Sequence, residues 1–118
     1  MTQVVCIVRS DGTAYIGATG SPYRAFENYR QRWPATLTWM PVAAVEAPRE
    51  TFESVTGLRL PAVVPIAEAA ALFCRLRVSP GASGAMRRHL RQVGSDAVPL
   101  FREWRRAVIE AKEVVVPA

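Results

Sequence analysis

The sequence predicts an α+β fold in which two strands, a helix, a third strand and a second helix (ββαβα) precede a basic helical C-terminal extension. Two runs rich in Val, Ile, Tyr and Thr flank an Asp-Gly pair near the start of the chain, and a Ser-Pro pair follows them. Arginines concentrate in the second half. With 118 residues the chain is long enough for one domain with its own core. Residues 1–57 form the predicted core and 58–118 the extension.

The first two elements are predicted to be a β-hairpin over residues 3–9 and 13–18. The residues between them include Asp11 and Gly12. An Asp-Gly pair between apolar runs indicates a hairpin because the tight turn requires positive φ.

The first helix is predicted to begin after Ser21, which suits an N-cap, with Pro22 at the first helical position. It extends to about Trp33, because Pro34 cannot continue it. Aromatic residues at three- and four-residue spacing predict its apolar face: Tyr23, Phe26, Tyr29 and Trp33.

Residues 36–47 read as the third strand, and Pro41 inside it favours an edge position or a bulge. A short acidic helix over 49–55 follows and ends at Gly57. We interpret residues 58–64 as an apolar connection bounded by prolines, and 65–77 as a mostly buried helix.

Two basic helices are predicted beyond a loop at residues 79–84. Met86, Leu90 and Val93 form the apolar stripe of the first, and the second places Leu100, Phe101, Trp104 and Val108 on one side. Their arrangement resembles the outline of a helix-turn-helix. The candidate nucleic-acid contacts lie off these stripes: Arg87, Arg88, Arg91, Arg102, Arg105 and Arg106.

The formal net charge is +5, and it is unevenly distributed along the chain. Residues 71–109 carry eight arginines against two acidic residues, whereas residues 46–70 are acidic on balance. Arginine forms bidentate contacts with phosphate, so this bias suits a nucleic-acid-binding protein. A genome of high GC content produces the same preference for arginine, and this alternative stays open.

Other features of the sequence favour a cytoplasmic protein with no membrane association. We expect no secretory signal at the start of the chain, and no stretch has the roughly 18 consecutive apolar residues of a membrane span. Cys6 and Cys74 lack the spacing of metal ligands and are interpreted as reduced, buried thiols.

Residues 5–29 carry a motif that resembles the start of GIY-YIG nuclease domains. Tyr15-Ile16-Gly17 matches the second tyrosine motif of that family, and a helix with Arg24 follows. Gly17 is expected to let the backbone pass close to the next element. The resemblance covers about residues 3–56 and implies that this part of the chain has the family's fold.

The resemblance also implies chemistry at the scissile phosphate of a nucleic acid. By this analogy Tyr15, Arg24 and Tyr29 are the candidate catalytic residues. Glu53, with Glu50 as second choice, is the candidate ligand of Mg²⁺ or Mn²⁺. A metal and a guanidinium neutralise charge on phosphoryl oxygens, and a phenol handles a proton.

The chain departs from the family pattern at two places. Cys6 stands where the first motif has a tyrosine, and Arg24 lies one residue before the expected position, which Ala25 occupies. A shift by one residue aligns Arg24 but then puts Asn28, and not Tyr29, in the place of the following His or Tyr. Both registers stay open.

Three functions are consistent with these observations. The first is a metal-dependent endonuclease of the kind found on mobile elements or in DNA repair. The second is a catalytically inactive GIY-YIG-like module, for example from a phage, that binds DNA or RNA. The third is a regulator or inhibitor that binds a protein partner, with Trp33 or Trp39 exposed for that purpose. Structural roles are the simpler alternative for each residue: Tyr15 as a packed aromatic, Arg24 and Glu53 as surface charges. The sequence leaves the oligomeric state open.

Overall fold

A four-stranded antiparallel sheet forms the centre of the protein, in a computed structural model that describes residues 2–76 and 97–115. The strands are β1 (Gln3–Arg9), β2 (Thr13–Thr19), β3 (Trp39–Glu46) and β4 (Ala62–Pro65), in the spatial order β3-β1-β2-β4. The described helices are α1 (Pro22–Arg32), α2 (Arg49–Thr56), α3 (Ile66–Arg75) and α4 (Val98–Val115). The predicted α+β class is therefore confirmed.

The β1–β2 hairpin forms as predicted, with Gly12 at a φ of 87° in the turn. The Asp11 carboxylate stabilises this turn because it accepts hydrogen bonds from the Thr13 backbone N–H at 3.0 Å and from the Thr13 hydroxyl at 2.5 Å. The strand pairing places Ile7 opposite Tyr15.

Strand β3 lies at one edge of the sheet and also carries a bulge. Cys6 pairs with Ala43, whereas the next residue, Ile7, pairs with Pro41, so Val42 is the extra residue. A proline has no N–H to donate to a neighbouring strand, and both the edge position and the bulge accommodate it. The prediction made from Pro41 is confirmed.

The interpretation of residues 58–64 as a connection is wrong, because Ala62–Pro65 forms strand β4 and pairs antiparallel with β2. The run is only four residues long, follows Pro61 and ends at Pro65, so it is too short to show an alternating pattern. Prolines at both ends also limit this exposed edge to a few hydrogen bonds.

Successive side chains of a strand point to opposite faces, and the two faces of this sheet differ. The first face carries Val4, Cys6, Val8, Ala14 and Ile16, and these pack against buried residues of the helices: Phe52 of α2, Phe73 of α3 and Trp104 of α4. Residues on both sides of position 57 thus share one core.

The second face is covered by α1. Val5 and Ile7 of β1 pack there with Phe26 of α1 and Trp39 of β3. We call this the α1 face, and the opposite one the helical face.

The helix predictions hold in outline for the described residues, and several details differ. Ser21 is the N-cap of α1 as predicted, and the helix ends at Arg32. Tyr23, predicted on the apolar face of α1, is 65% exposed, because Phe26 and Ala25 define the buried side. Trp39 is buried under α1 and Trp33 is half-buried, so neither is the exposed tryptophan that the protein-partner hypothesis expected.

In α4, Leu100, Trp104 and Val108 are buried as predicted, whereas Phe101 is 41% exposed because it lies beside that stripe. The predicted helix around Met86, with Arg87, Arg88 and Arg91, lies outside the described residues. Among the helices that the structure describes, none has the length and apolar character needed to cross a membrane.

Candidate functional site

Two of the three predicted catalytic residues meet on the α1 face, within a cluster of aromatic rings. The hydroxyls of Tyr29 and Tyr15 are 3.4 Å apart, with Tyr29 as the donor. Tyr29 stacks on Trp33 with ring centroids 4.6 Å apart, and Trp39 meets Trp33 edge to face at 5.4 Å. We call these four side chains the aromatic cluster.

Arg9 closes one side of the aromatic cluster and was not among the predicted site residues. Its guanidinium carbon lies 5.3 Å from the centre of the Trp33 ring, a cation–π distance. Its Nε donates to the Thr13 hydroxyl at 2.9 Å, and its Nη2 lies 3.7 Å from Asp11. The side chain is only 15% exposed, so it is held in place by the hairpin. The sequence offers one signal for the location of Arg9: it lies two residues after Ile7, and alternate residues of a strand share one face.

Gly17 is required for the position of the Tyr15 ring. A Cβ at residue 17 would lie 2.8 Å from Cε1 and 2.9 Å from the hydroxyl of Tyr15. The ring therefore lies across Gly17, two residues along the same face of the strand. Gly17 was expected to let the backbone pass close to the next element of the chain. The space beside its Cα is filled by the Tyr15 ring instead.

Burial raises the pKa of the Tyr29 hydroxyl above its ordinary value, and the hydrogen bond to Tyr15 and the effect of that neighbouring phenol act in the same direction. The charge of Arg32 opposes them and is the smallest influence. Tyr29 is thus a neutral phenol at physiological pH. It can donate a hydrogen bond, but its raised pKa makes it a poor source of the phenolate needed to accept a proton.

The structure does not bring Arg24 to this pair of tyrosines. Arg24 is exposed on α1 and precedes Tyr29 by five residues, which places it about 140° around the helix. It makes no hydrogen bond or ion pair with any other described residue.

Cys6, which the resemblance aligns with the first tyrosine of the GIY-YIG pattern, is fully buried on the helical face. It pairs with Ile16, not with Tyr15, so the sheet separates its side chain from the aromatic cluster. Burial raises the pKa of the thiol and keeps it protonated.

Glu53 has a structural role in the turn that follows α2. Its Oε2 accepts a hydrogen bond from the Leu60 backbone N–H at 2.7 Å, and its Oε1 lies 3.8 Å from Nε of Arg49. Helix α2 packs on the helical face through Phe52, on the other side of the sheet from Tyr15 and Tyr29.

The surroundings of Glu53 do not suit the divalent metal that the resemblance implies. A cation there would face the Arg49 guanidinium and would compete with the Leu60 N–H for the carboxylate. Mg²⁺ prefers several oxygen ligands, yet no group of three or more His, Cys, Asp or Glu side chains among the described residues is placed to hold a metal.

A second candidate site lies on the outer face of α4, opposite its buried stripe. The guanidinium groups of Arg102, Arg105 and Arg106 are exposed, and none forms an ion pair or hydrogen bond with a described residue. These arginines line a shallow open groove together with Ile109, Glu110 and Glu113. The predicted nucleic-acid contacts of this helix are thus accessible together on one surface.

Comparisons with models of protein families, curated protein sequences and solved structures gave no significant match to this chain.

Proposed function

We propose that this protein binds nucleic acid, with DNA favoured, through the basic face of α4, and that it does so without cleaving the strand. One observation carries the proposal: Arg102, Arg105 and Arg106 are exposed together on one helix face with no anionic partner among the described residues. Phosphate groups suit such arginines, which present a planar fork of donors.

The charge of the whole chain supports the same proposal. A net charge of +5 and a pI near 10.0 attract a polyanion before any specific contact forms. Arginine-rich surfaces gain most of their non-specific affinity for DNA from the release of counterions.

The absence of cleavage is inferred from where the candidate catalytic residues lie. Only Tyr15 and Tyr29 meet, and the Tyr29 hydroxyl is held in its neutral form. Arg24 lies elsewhere on α1, and Glu53 is bound to the Leu60 N–H. We propose that the fold resembles the GIY-YIG domain and that Tyr15 and Tyr29 serve a structural role in the aromatic cluster.

Fluorescence anisotropy with labelled duplex DNA, single-stranded DNA and RNA tests the binding proposal. Arg105→Gln/Arg106→Gln should weaken binding roughly tenfold at low salt, because two phosphate contacts are lost. Arg59→Gln/Arg75→Gln is the matched control, since it removes two exposed arginines elsewhere. Equal losses in both double variants would show that net charge alone, and not the α4 face, determines the affinity.

Nicking of supercoiled plasmid with Mg²⁺ or Mn²⁺ tests the second part of the proposal. We expect no nicking by the wild-type protein at concentrations that retard the plasmid in a gel. Nicking that is lost in Tyr15→Phe, Arg24→Ala and Glu53→Ala proteins would instead establish a nuclease, despite the separation of these residues.

A further inference from the structure

Exposed apolar side chains lie among the arginines on the outer side of α4. Val98 is 46% exposed, Phe101 is 41% exposed and Ile109 is 53% exposed. Half of the six large apolar side chains that are exposed in the described part of the chain therefore belong to this one helix. Large apolar groups are usually buried, so their concentration here indicates a surface that another molecule covers.

These apolar side chains share one side of the helix with positive charge. Phe101 and Ile109 lie one turn before and one turn after Arg105, each about 40° around the helix from it. Glu103 and Glu110 lie together on another flank, about 140° or more from Arg105. A ligand on the side of Arg105 thus meets apolar groups and guanidinium groups together.

Phe101 has the most distinctive surroundings of the exposed apolar residues. Its ring is flanked by Arg102, the next residue, and by Arg105, one helical turn later. Among the described residues the other exposed aromatic ring is Tyr23, and there the position one turn later carries a carboxylate, Glu27. Only the surroundings of Phe101 therefore combine an exposed ring with two neighbouring cations.

A nucleotide with an unpaired base has the composition that matches this surface. The face of its base stacks on an aromatic ring, and its phosphate pairs with arginine. In a duplex the bases stack on one another, so a duplex offers α4 its phosphates but leaves Phe101 and Ile109 uncovered. We propose that the basic face of α4 binds single-stranded nucleic acid, with a base stacked on Phe101 and adjacent phosphates on Arg102 and Arg105, an inference that rests on the proposed function and names its ligand class.

An anionic membrane also attracts arginines and apolar side chains, but α4 suits it less well. Helices that lie in a membrane surface bury a broad apolar face in the lipid. The broad apolar stripe of α4, which includes Leu100, Trp104 and Val108, is buried in the protein core instead. The exposed apolar groups are separated by arginines, a pattern that matches single bases alternating with phosphates.

Stacking and phosphate contacts respond differently to salt, so each can be measured. Phosphate contacts release counterions and weaken as the salt concentration rises, whereas stacking on an uncharged ring releases none. Loss of one stacking ring commonly weakens single-strand binding by about fivefold or more. Phe101→Ala should therefore lower single-strand affinity by about this factor at every salt concentration and leave the salt dependence unchanged.

Fluorescence anisotropy with three labelled probes of equal length tests the ligand class: oligothymidylate, oligouridylate and duplex DNA. We expect the wild-type protein to bind both single strands more tightly than the duplex, and the tighter of the two identifies the preferred sugar. Phe101→Ala should lose single-strand affinity and keep its duplex affinity. Equal wild-type affinities for single strands and duplex, or an equal loss of both in Phe101→Ala, would overturn the inference.

Two further substitutions separate stacking from packing, because part of the Phe101 ring is buried. Phe101→Trp keeps an aromatic ring and should retain single-strand affinity. Phe101→Leu keeps apolar volume without the ring and should weaken single-strand binding nearly as much as Phe101→Ala. Tyr23→Ala, the matched control, removes an exposed ring elsewhere and should bind like the wild type. Wild-type affinity in Phe101→Leu would show that no base stacks on the ring.

Ultraviolet cross-linking to oligothymidylate locates the contact directly. Mass spectrometry should find thymidine attached to the peptide that contains Phe101, whereas attachment confined to the peptide that contains Trp33 would contradict the assignment. Sedimentation with phosphatidylserine vesicles tests the membrane alternative, and we expect no binding that depends on Phe101. Vesicle binding that is lost in Phe101→Ala, without a preference for single strands, would assign the face to a membrane instead.

The results for the three probes distinguish failure of this inference from failure of the proposed function. A wild-type protein that binds none of the probes contradicts both. A protein that binds the duplex as tightly as the single strands, and loses this affinity in Arg105→Gln/Arg106→Gln, retains the proposed function and contradicts only the single-strand preference.

Discussion

The two faces of the sheet are filled by different kinds of side chain. The helical face is an aliphatic and aromatic core with very little exposed surface, and Cys6 and Trp104 are among its most buried members. The α1 face instead combines a buried patch of Val5, Ile7 and Phe26 with half-buried phenols, an indole and a guanidinium.

This difference explains which of the predicted site residues lie close together. Tyr15 and Tyr29 lie on the α1 face, where they contact each other, and Gly17 makes room for Tyr15. Cys6 and Glu53, the candidate metal ligand, belong to the helical side of the sheet, and Arg24 is exposed on α1. The polar groups of the aromatic cluster therefore contact one another, whereas Arg102, Arg105 and Arg106 of α4 are exposed together on one helix face.

The largest expected effect is the loss of Trp104 from the helical face. Trp104→Ala should lower the free energy of unfolding by about 3–5 kcal/mol, because it opens a large cavity among buried neighbours. Trp33→Ala removes a half-buried ring from the α1 face and should cost less than half as much. Denaturant titration measures both.

Trp104→Phe provides the control for that experiment. The Trp104 Nε1 has no hydrogen-bond partner among the described residues, so the ring contributes mainly by its volume. Phenylalanine should retain most of the stability. Equal losses in Trp104→Ala and Trp33→Ala would contradict the contrast between the two faces.

A tyrosine at position 6, where the GIY-YIG pattern has one, should damage the fold. Cys6→Tyr inserts a phenol into the filled core of the helical face, and we expect a loss of about 3 kcal/mol or more from overpacking and an unpaired hydroxyl. Cys6→Ala is the control and should cost far less. A stable Cys6→Tyr protein with a solvent-accessible phenol would show that the strand register differs from the one described.

Gly17→Ala should destabilise the protein by about 1–3 kcal/mol, because its Cβ collides with the Tyr15 ring. In a Tyr15→Ala background the same substitution should be close to neutral, since the obstacle is gone. A double-mutant cycle measures this coupling. Additive losses would indicate that the backbone of residue 17, and not the ring, is the cause.

The raised pKa of Tyr29 predicts that the free energy of unfolding falls at alkaline pH. Its pKa is higher in the folded state than the value of about 10 expected when unfolded. Its contribution is therefore complete below about pH 10 and is lost as the pH rises through the folded-state pKa. Thermal unfolding between pH 8 and pH 11 should show a steeper decline for the wild type than for Tyr29→Phe, and equal slopes in the two proteins would contradict this contribution.

The smallest effect is expected at the hairpin turn. The pKa of Asp11 is lowered chiefly by its hydrogen bond with the Thr13 hydroxyl, and Arg9 adds a smaller favourable charge. Its contribution is present above about pH 3.9 and disappears as the pH falls through the folded-state pKa. Asp11→Asn should cost less than about 1 kcal/mol at pH 7 and nothing at pH 2. An equal loss in the free energy of unfolding of Asp11→Asn at pH 7 and at pH 2 would contradict a role for the Asp11 charge.

Local signals in the sequence predicted most of the fold. Asp11 and Gly12 specify the hairpin, Pro22 and Gly57 mark helix ends, and Pro41 indicates the edge strand with its bulge. These features depend on backbone preferences of single residues. Strand β4 was missed because a four-residue run that follows Pro61 and ends at Pro65 is too short to carry a periodic signal.

The site was predicted less well because it depends on which face of the sheet each residue occupies. The match of Tyr15-Ile16-Gly17 could be read from the chain, but the placement of Cys6 on the opposite face requires the pairing of Cys6 with Ile16. Likewise, the Glu53 carboxylate accepts a hydrogen bond from the Leu60 N–H, which lies seven residues later in the chain and beyond a turn. No sequence motif indicates this contact.

The central claim is that the basic face of α4, and not the aromatic cluster, contacts nucleic acid. The most direct test is the slope of the logarithm of the DNA-binding constant against the logarithm of salt concentration. Each phosphate contact contributes about −0.9 to this slope, so Arg105→Gln/Arg106→Gln should make it shallower by about 1.8. Arg59→Gln/Arg75→Gln and Tyr15→Phe/Tyr29→Phe should leave it unchanged. An unchanged slope in the α4 variant, with a shallower one in either of the others, would contradict the account.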